Sequence, residues 1–191
     1  GLVADVAGQP TRGMSLVGWS LVVKYGSTQF EIDIYNYAEV DDWTDFGNQV
    51  ATYGLSYRDP SGEGVFNVCP GMNVDETSVV FLAGETYDLS THEVQPDQEG
   101  VATLACRGHA LAKMKLLGYD PYSSQYQTEP HQRQATLRMV TADYCGDGTS
   151  HTTPGQPLGW TDVAGHVAFD GSVSSDKIEA EWDESGATCL N

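Results

Sequence analysis

The stretch "TADYCGDGTSHT" (residues 141–152) sets two aspartates, a tyrosine, a cysteine, a histidine and two glycines within twelve positions. Three chemistries use these residue types. A cysteine nucleophile needs a thiolate at Cys145, a base such as His131 or His151, and an orienting carboxylate such as Asp143. A hard cation such as calcium needs several oxygens, which Asp143, Asp147 and a carbonyl of a glycine-bearing turn can supply. A structural corner needs a tight turn at Asp147-Gly148, backbone relief at Gly146, and hydrogen bonds from Asp143 or Tyr144. The spacing favours the corner. Catalytic partners normally converge from distant segments, and the loop lacks the glutamate twelve positions after its first aspartate that an EF-hand requires. No catalytic residue and no cofactor are therefore assigned. Asp143 and Asp147 are the ligands a calcium ion would use.

Other constellations are thinner. The histidines at 92, 109, 131, 151 and 166 form no HxH or HExxH pattern, and GxSxG, Walker and dinucleotide fingerprints are absent. A hydrolase would have to draw on His109 and His131, both on segments of helical pattern, with Asp143. Two acidic strings, "EVDDWTDF" (39–46) and "EAEWDES" (179–185), each enclose a tryptophan, as a glycan site does. In a chain with 27 acidic residues such strings arise by composition alone. They read as solvated loops, with Trp43 and Trp182 anchoring the core.

Charge narrows the partners. The 27 acidic against 9 basic side chains give a formal charge of −18, which repels nucleic acid and anionic lipid surfaces. No apolar run approaches the roughly 20 residues of a spanning helix. With 191 residues, 10 Tyr, 5 Phe and 4 Trp, the chain has the length and aromatic content of one folded domain, 1–191. The opening "GLVADVAGQPTRG" has neither a basic start nor a continuous apolar segment, and reads as a mature or trimmed end.

The elements that must hold any site follow from periodicity. "SLVGWSLVVKY" (15–25), "STQFEIDIYNY" (27–37) and "QVATYGLSYRD" (49–59) read as strands, with a hairpin turn at Tyr25-Gly26-Ser27-Thr28. The acidic run 39–48 reads as a loop, 64–69 and 77–82 as short strands, and 84–100 as irregular. In "CRGHALAKMKLLGY" (106–119), Ala110, Leu111, Met114 and Leu117 share a helical face, with Gly118 at the stop. A second helix follows over about 128–143, with Thr128 as cap, Pro130 in the first turn, and Ala135, Leu137, Met139 and Val140 as its apolar face. The last forty residues return to strand character, with a hairpin turn at Asp170-Gly171. The expected fold is α+β: a mainly antiparallel β-sheet with two short amphipathic helices, about 106–118 and 128–143, packed on it.

Cys69, Cys106, Cys145 and Cys189 are widely spaced, with no CxxC pair, which suggests disulfides and an oxidising compartment. Four cysteines permit three connectivities, and spacing does not choose among them. The string "RMVTADYCGDGTSHTTPGQPL" (138–158) resembles the signature of the ADYC-domain family of secreted bacterial proteins. "LACRGHALAKMKLLGYDPY" (104–122), "FNVCPG" (66–71) and "EAEWDESGATCL" (179–190) extend the resemblance over roughly 65–190, leaving 1–60 as a β-rich N-terminal part. The resemblance implies a cysteine where this chain has Met114 and another near Thr136. Their joint absence is what a missing inter-helix disulfide looks like. Resemblance and layout together imply the pairs Cys69–Cys106 and Cys145–Cys189. They make "DYCGDG" (Asp143, Tyr144, Cys145, Gly146, Asp147, Gly148) a stapled structural motif.

The family carries no established activity, so the resemblance implies a framework and no reaction. The expected function is a secreted or cell-surface bacterial domain, a binding, adhesive or assembly module without catalysis. Its partner would be a protein or glycan at the cell surface, or a second copy in self-assembly. The alternative is a secreted hydrolase with a site at the helix pair.

Overall fold

The computed structural model describes residues 1–59, 62, 64–71, 74–122, 128–153, 159–167 and 178–190, apart from the side chains of Tyr25, Val74, Asp75, Cys189 and Leu190. Its contacts cluster into two compact units. The first comprises Gly1–Asp41, Gln49–Phe81 and Leu104–Ala112, and the second Asp42–Asn48, Leu82–Thr103 and Lys113–Asn191. The fold is α+β and mostly antiparallel.

The first unit opens with a small hairpin, β1 (Val3–Val6) and β2 (Gln9–Arg12), followed by a 3-10 turn at Gly13–Leu16. The strand expected from residue 15 thus begins later, at Ser20, because Gly13 and Gly18 hold positive φ and turn the chain. Strands β3 (Ser20–Tyr25) and β4 (Thr28–Asp41) form the expected hairpin, with Tyr25 opposite Thr28. β4 then pairs β5 (Gln49–Arg58). The acidic run 39–48 is therefore only partly loop, since β4 continues to Asp41 and β5 starts at Gln49.

At Tyr35 the β4 register shifts by a residue, and the Tyr35 ring lies over Gly54, where any Cβ would stand 2.6 Å from it. A bulge on one strand thus requires glycine on the next. Beyond that point β5 changes partner: Tyr53 and Gly54 pair β7 (Ser78–Ala83), whereas Ser56 to Arg58 pair β6 (Val65–Asn67). With β10 (Ala102–Cys106) on β7, the described strands of this sheet run β10-β7-β5-β4-β3, with β6 beside β5. Leu16, Ile34, Tyr53, Leu55, Cys69 and Val79 form the buried core. Tyr53 and Leu55, two apart on β5, share one face of the strand, although β5 is buried throughout from Thr52 to Ser56. A disulfide joins Cys69 to Cys106, 37 residues apart, within this unit.

In the second unit, two three-residue strands, β8 (Thr86–Asp88) and β9 (Glu93–Gln95), make a hairpin inside the stretch expected to be irregular. Each has one central hydrophobic residue at most, too little for a pattern to register. A four-residue turn of helix, α1 (Val74–Thr77), lies in the first unit. Helix α2 (Ala110–Leu116) is shorter than expected and stops at Gly118, whose φ is +91°. Leu111, Ala112, Met114, Leu116 and Leu117 are all buried, more than a single amphipathic stripe. Helix α3 spans Pro130–Thr141, and the chain closes with a hairpin of β11 (Ala180–Asp183) and β12 (Gly186–Leu190). The hairpin expected at Asp170-Gly171 lies outside the described residues. No described helix is long and apolar enough to cross a membrane.

Candidate functional site

The signature begins where α3 ends. Pro130 occupies the first turn, where a missing N–H costs nothing, and Glu129 and Gln132 form a reciprocal capping box. Thr128 is not the cap expected of it. It is buried and accepts hydrogen bonds from Arg133 instead. At the other end Ala142 adopts the left-handed conformation, φ 50°. Its N–H donates to the Met139 carbonyl at 3.0 Å, and the Asp143 N–H donates to the Arg138 carbonyl at 2.9 Å. This is a Schellman termination, with alanine where glycine is usual.

The termination drops Asp143 into the interior with no exposed surface. Its carboxylate accepts from Arg138 Nη1 at 2.6 Å and from the N–H groups of Asp147 and Gly148, each at 3.1 Å. His92 Nδ1 stands 3.4 Å away. A carboxylate offers about four acceptor directions, so these contacts occupy it. Arg138, itself buried, also donates through Nε to the Glu184 carbonyl at 2.7 Å, and its Nη1 lies 3.5 Å from the Thr91 carbonyl. One guanidinium thus joins the end of α3, the turn of the β8–β9 hairpin and the turn of the β11–β12 hairpin. Its planar fork of donors suits it to several acceptors at once.

The glycines of the signature serve the same closure. A Cβ on Gly146 would collide with the Ser185 carbonyl oxygen, and one on Gly148 with that of Ser90. Both hold positive φ, 68° and 86°. Each hairpin turn therefore rests backbone against backbone on the loop. Tyr144 faces outward and is half-buried. Its ring lies 5.0 Å from Trp182 and 5.9 Å from His151, and its hydroxyl donates to Glu179. That carboxylate, then burial, raises the Tyr144 pKa. Asp147 is exposed, and its carboxylate is held low chiefly by the hydrogen bond from the Thr149 N–H.

A second charged cluster lies deeper on α3. Glu85 is fully buried, accepts from Arg133 Nε at 2.8 Å, and receives the Tyr87 hydroxyl. Burial dominates and raises the Glu85 pKa, against the pull of Tyr87 and Arg133. Burial followed by the Glu85 charge raises that of Tyr87. The face of α3 turned inward therefore carries Arg133, Thr136, Leu137, Arg138 and Thr141. The expected apolar face holds only at Leu137. Ala135, Met139 and Val140 are half-buried, because the inward face of α3 is given over largely to Arg133, Arg138 and two threonines beside Leu137.

The residues singled out by sequence separate accordingly. His109 and His131 are exposed, whereas Asp143 is wholly enclosed. Cys145 is exposed and forms no disulfide among the described residues, and the side chain of its expected partner, Cys189, lies outside them. Trp43 does not anchor a core: it is 46% exposed, while Trp182 is half-buried against Tyr144. Asp42 next to Trp43 is buried and accepts from Thr44 and from both the N–H and side chain of Asn48. Among the described residues, no group of three or more His, Cys, Asp or Glu is placed to hold a metal ion. Sequence reasoning missed Glu85, His92, Arg133 and Arg138. One signal was readable: α3 carries two arginines and no acid, in a chain where acids outnumber bases three to one.

No curated protein and no solved structure matches the chain. The ADYC domain matches residues 13–191, a span that takes in most of the N-terminal sheet as well as the signature. With nearly its whole length covered by that match, the chain belongs to the ADYC domain family.

Proposed function

We propose that this ADYC domain is a secreted or cell-surface bacterial module that binds, adheres or assembles without catalysing a reaction. The observation that carries the reading is Asp143. Asp143, the enclosed carboxylate of the signature, has no exposed surface, and it is held by Arg138 and two backbone N–H groups, with His92 Nδ1 3.4 Å away. Signature residues committed to one another build a framework, and a framework leaves contact with partners to the surface around it. The disulfide Cys69–Cys106 supports an oxidising compartment. A second bond, Cys145–Cys189, completes the reading. It is supported by the Ala187 N–H, which donates to the Tyr144 carbonyl at 3.0 Å and brings β12 alongside the signature. A protein or glycan at the cell surface, or a second copy, is the partner.

Binding against turnover tests the function. Purified protein is applied to immobilised glycans and surface proteins, and in parallel to ester, peptide and glycoside substrates. Saturable binding without turnover is expected. Turnover lost in His131→Ala would replace the module with a hydrolase. Non-reducing peptide mapping tests the bond: a Cys69–Cys145 peptide, or four free thiols, would remove the case for secretion.

A further inference from the structure

Strand β3 ends the sheet of the first unit: among the described residues it pairs with β4 on one side and with no strand on the other. The phase of the β3–β4 hairpin fixes which backbone groups this leaves. Tyr25 and Thr28 close the turn Gly26-Ser27, where only a hydrogen-bonded pair fits, and Val23–Phe30 and Leu21–Ile32 follow in the same phase. The Ile34 N–H, which donates to the Trp19 carbonyl at 2.8 Å, continues it. The N–H and C=O groups of Ser20, Val22 and Lys24 therefore point away from β4, along an edge ready to template another strand.

The side chains on this edge match the backbone. Val22 is 59% exposed and Val23 41%. They stand on opposite faces of the sheet, Val22 opposite Glu31 and Val23 opposite Phe30. Ser20 and Lys24 share the Val22 face and are exposed. The Ser20 hydroxyl donates to Oδ1 of Asp33, its partner on β4, at 2.6 Å. Among the described residues Lys24 makes no ion pair.

We infer that β3 pairs antiparallel with β3 of a second copy about a two-fold axis, so that two first-unit sheets join into one. The register follows from the phase. Setting Val22 against Val22 places Ser20 against Lys24 on either side, and every outward-pointing residue of β3 then meets another. Sliding by one residue turns these groups out of phase, and sliding by two leaves one of them without a partner. Leu21 meets Val23 on the other face, an apolar cross-strand pair. Charge is complementary in the same register. Strands lie about 4.8 Å apart, and across the small Ser20 the four-carbon stem of the second copy's Lys24 reaches toward Asp33. An edge lysine guards a strand when pairing would strand its charge, and here pairing brings it to a carboxylate. The inference deepens the module reading by naming the second copy as partner and β3 as the contact.

Sedimentation equilibrium of the full chain from about 1 µM to 1 mM tests it, at an ionic strength of about 0.3 M that screens repulsion between copies. A monomer–dimer equilibrium with a dissociation constant inside that range is expected, as a small interface gives, and it stops at two copies because the axis uses up both edges. Val22→Pro removes an outward N–H that no internal bond needs, and should weaken dimerisation about tenfold or more. Val22→Lys, which faces Glu31 within its own copy and another lysine across the axis, should do the same, with circular dichroism confirming that both variants fold. Lys24→Glu should weaken the dimer, and adding Asp33→Lys should recover it. Val22→Cys should cross-link to itself under oxidation, since a hydrogen-bonded pair sets Cα atoms about 5.5 Å apart, within disulfide range. A chain that is monomeric throughout would overturn the inference, as would growth beyond a dimer, a dimer indifferent to both Val22 variants, or no linked residue-22 peptide on mapping. A monomer that still binds an immobilised glycan loses this inference and keeps the module reading. A monomer whose binding to a surface protein is abolished by Val22→Pro would overturn it in favour of a partner of different sequence on the same edge.

Discussion

The two units fill their interiors by different physics. In the first, Ile34, Leu55, Val79 and the ring of Tyr53 close around one another, and a disulfide crosses the unit. In the second, aliphatic residues such as Leu82, Met114 and Leu137 share the interior with Glu85, Arg133, Arg138 and Asp143. Apolar burial is non-directional and scales with area, so it tolerates small errors of placement. A buried ion pair has a large desolvation cost and stabilises only when every donor and acceptor is met. The contrast teaches that the family signature belongs to the interior that must be geometrically right.

The largest effect should come from Arg138→Ala. Removing one member of a buried pair leaves Asp143 charged and unmatched, at a cost of about 3 to 5 kcal/mol. Calorimetry should show the loss, and Arg138→Lys should recover little of it, since an ammonium lacks the fork. A cost under about 1 kcal/mol would erase the distinction between the two interiors.

Next in size is the disulfide. Replacing Cys69 and Cys106 together by alanine should cost about 4 kcal/mol in the chain-entropy model for a loop of this length, less any native strain. Hydrogen exchange should place the lost protection in amides of the first unit. Uniform loss across both units would mean that they unfold as one and that the contrast is one of composition only.

The response to pH separates two kinds of acid within the second unit. Burial raises the Glu85 pKa above its unfolded value of 4.5, so the native protein holds a proton that the unfolded chain releases. Stability from this group is full below pH 4.5 and declines as pH climbs through the raised value. Asp147 has the opposite sign: hydrogen bonds from Thr149 lower its pKa from 3.8, so its contribution is present above that value and is lost as pH falls through the lowered one. Urea titrations from pH 3 to 8 should show a shallower decline with rising pH in Glu85→Gln than in the parent protein. In Asp147→Asn the acid-side loss should shrink. Identical pH profiles in all three proteins would contradict both assignments.

The smallest effect is a gain. Ala142 holds φ 50° at the end of α3, a conformation costly for a residue with a Cβ. Ala142→Gly should raise stability by about 0.5 to 1 kcal/mol, read from the urea midpoint. A loss would show that contacts of the methyl group outweigh the backbone strain.

Much of the first unit was legible because its signals are local. Phe30, Ile32 and Ile34 alternate along one strand, and Gly26-Ser27 marks the turn between β3 and β4. The second unit was less so. Apolar periodicity identified α3, yet it picked the wrong inward face, because Arg133 and Arg138 count as surface residues in any such pattern. Their acceptors Glu85 and Glu184 lie 48 and 46 residues away in sequence. No window along the chain reaches that far. Asp143 was recognised as a structural residue from its turn-forming neighbours, but its burial depends on the Schellman termination at an alanine, which sequence does not announce. The β8–β9 hairpin escaped because two strands of three residues carry no period.

The bonding of Arg138 and Asp143 also has a kinetic consequence. Asp143 takes its partners from Arg138, Asp147 and Gly148, all within five residues, whereas Arg138 reaches Thr91 and Glu184 across 47 and 46. Closing a short loop takes little entropy, and closing a long one takes more. The corner at the end of α3 can therefore form while the rest of the unit is still searching, and its guanidinium then collects two turns from opposite directions along the chain. Loop-closure entropy thus favours forming the signature's own contacts ahead of those that Arg138 makes to the two hairpin turns.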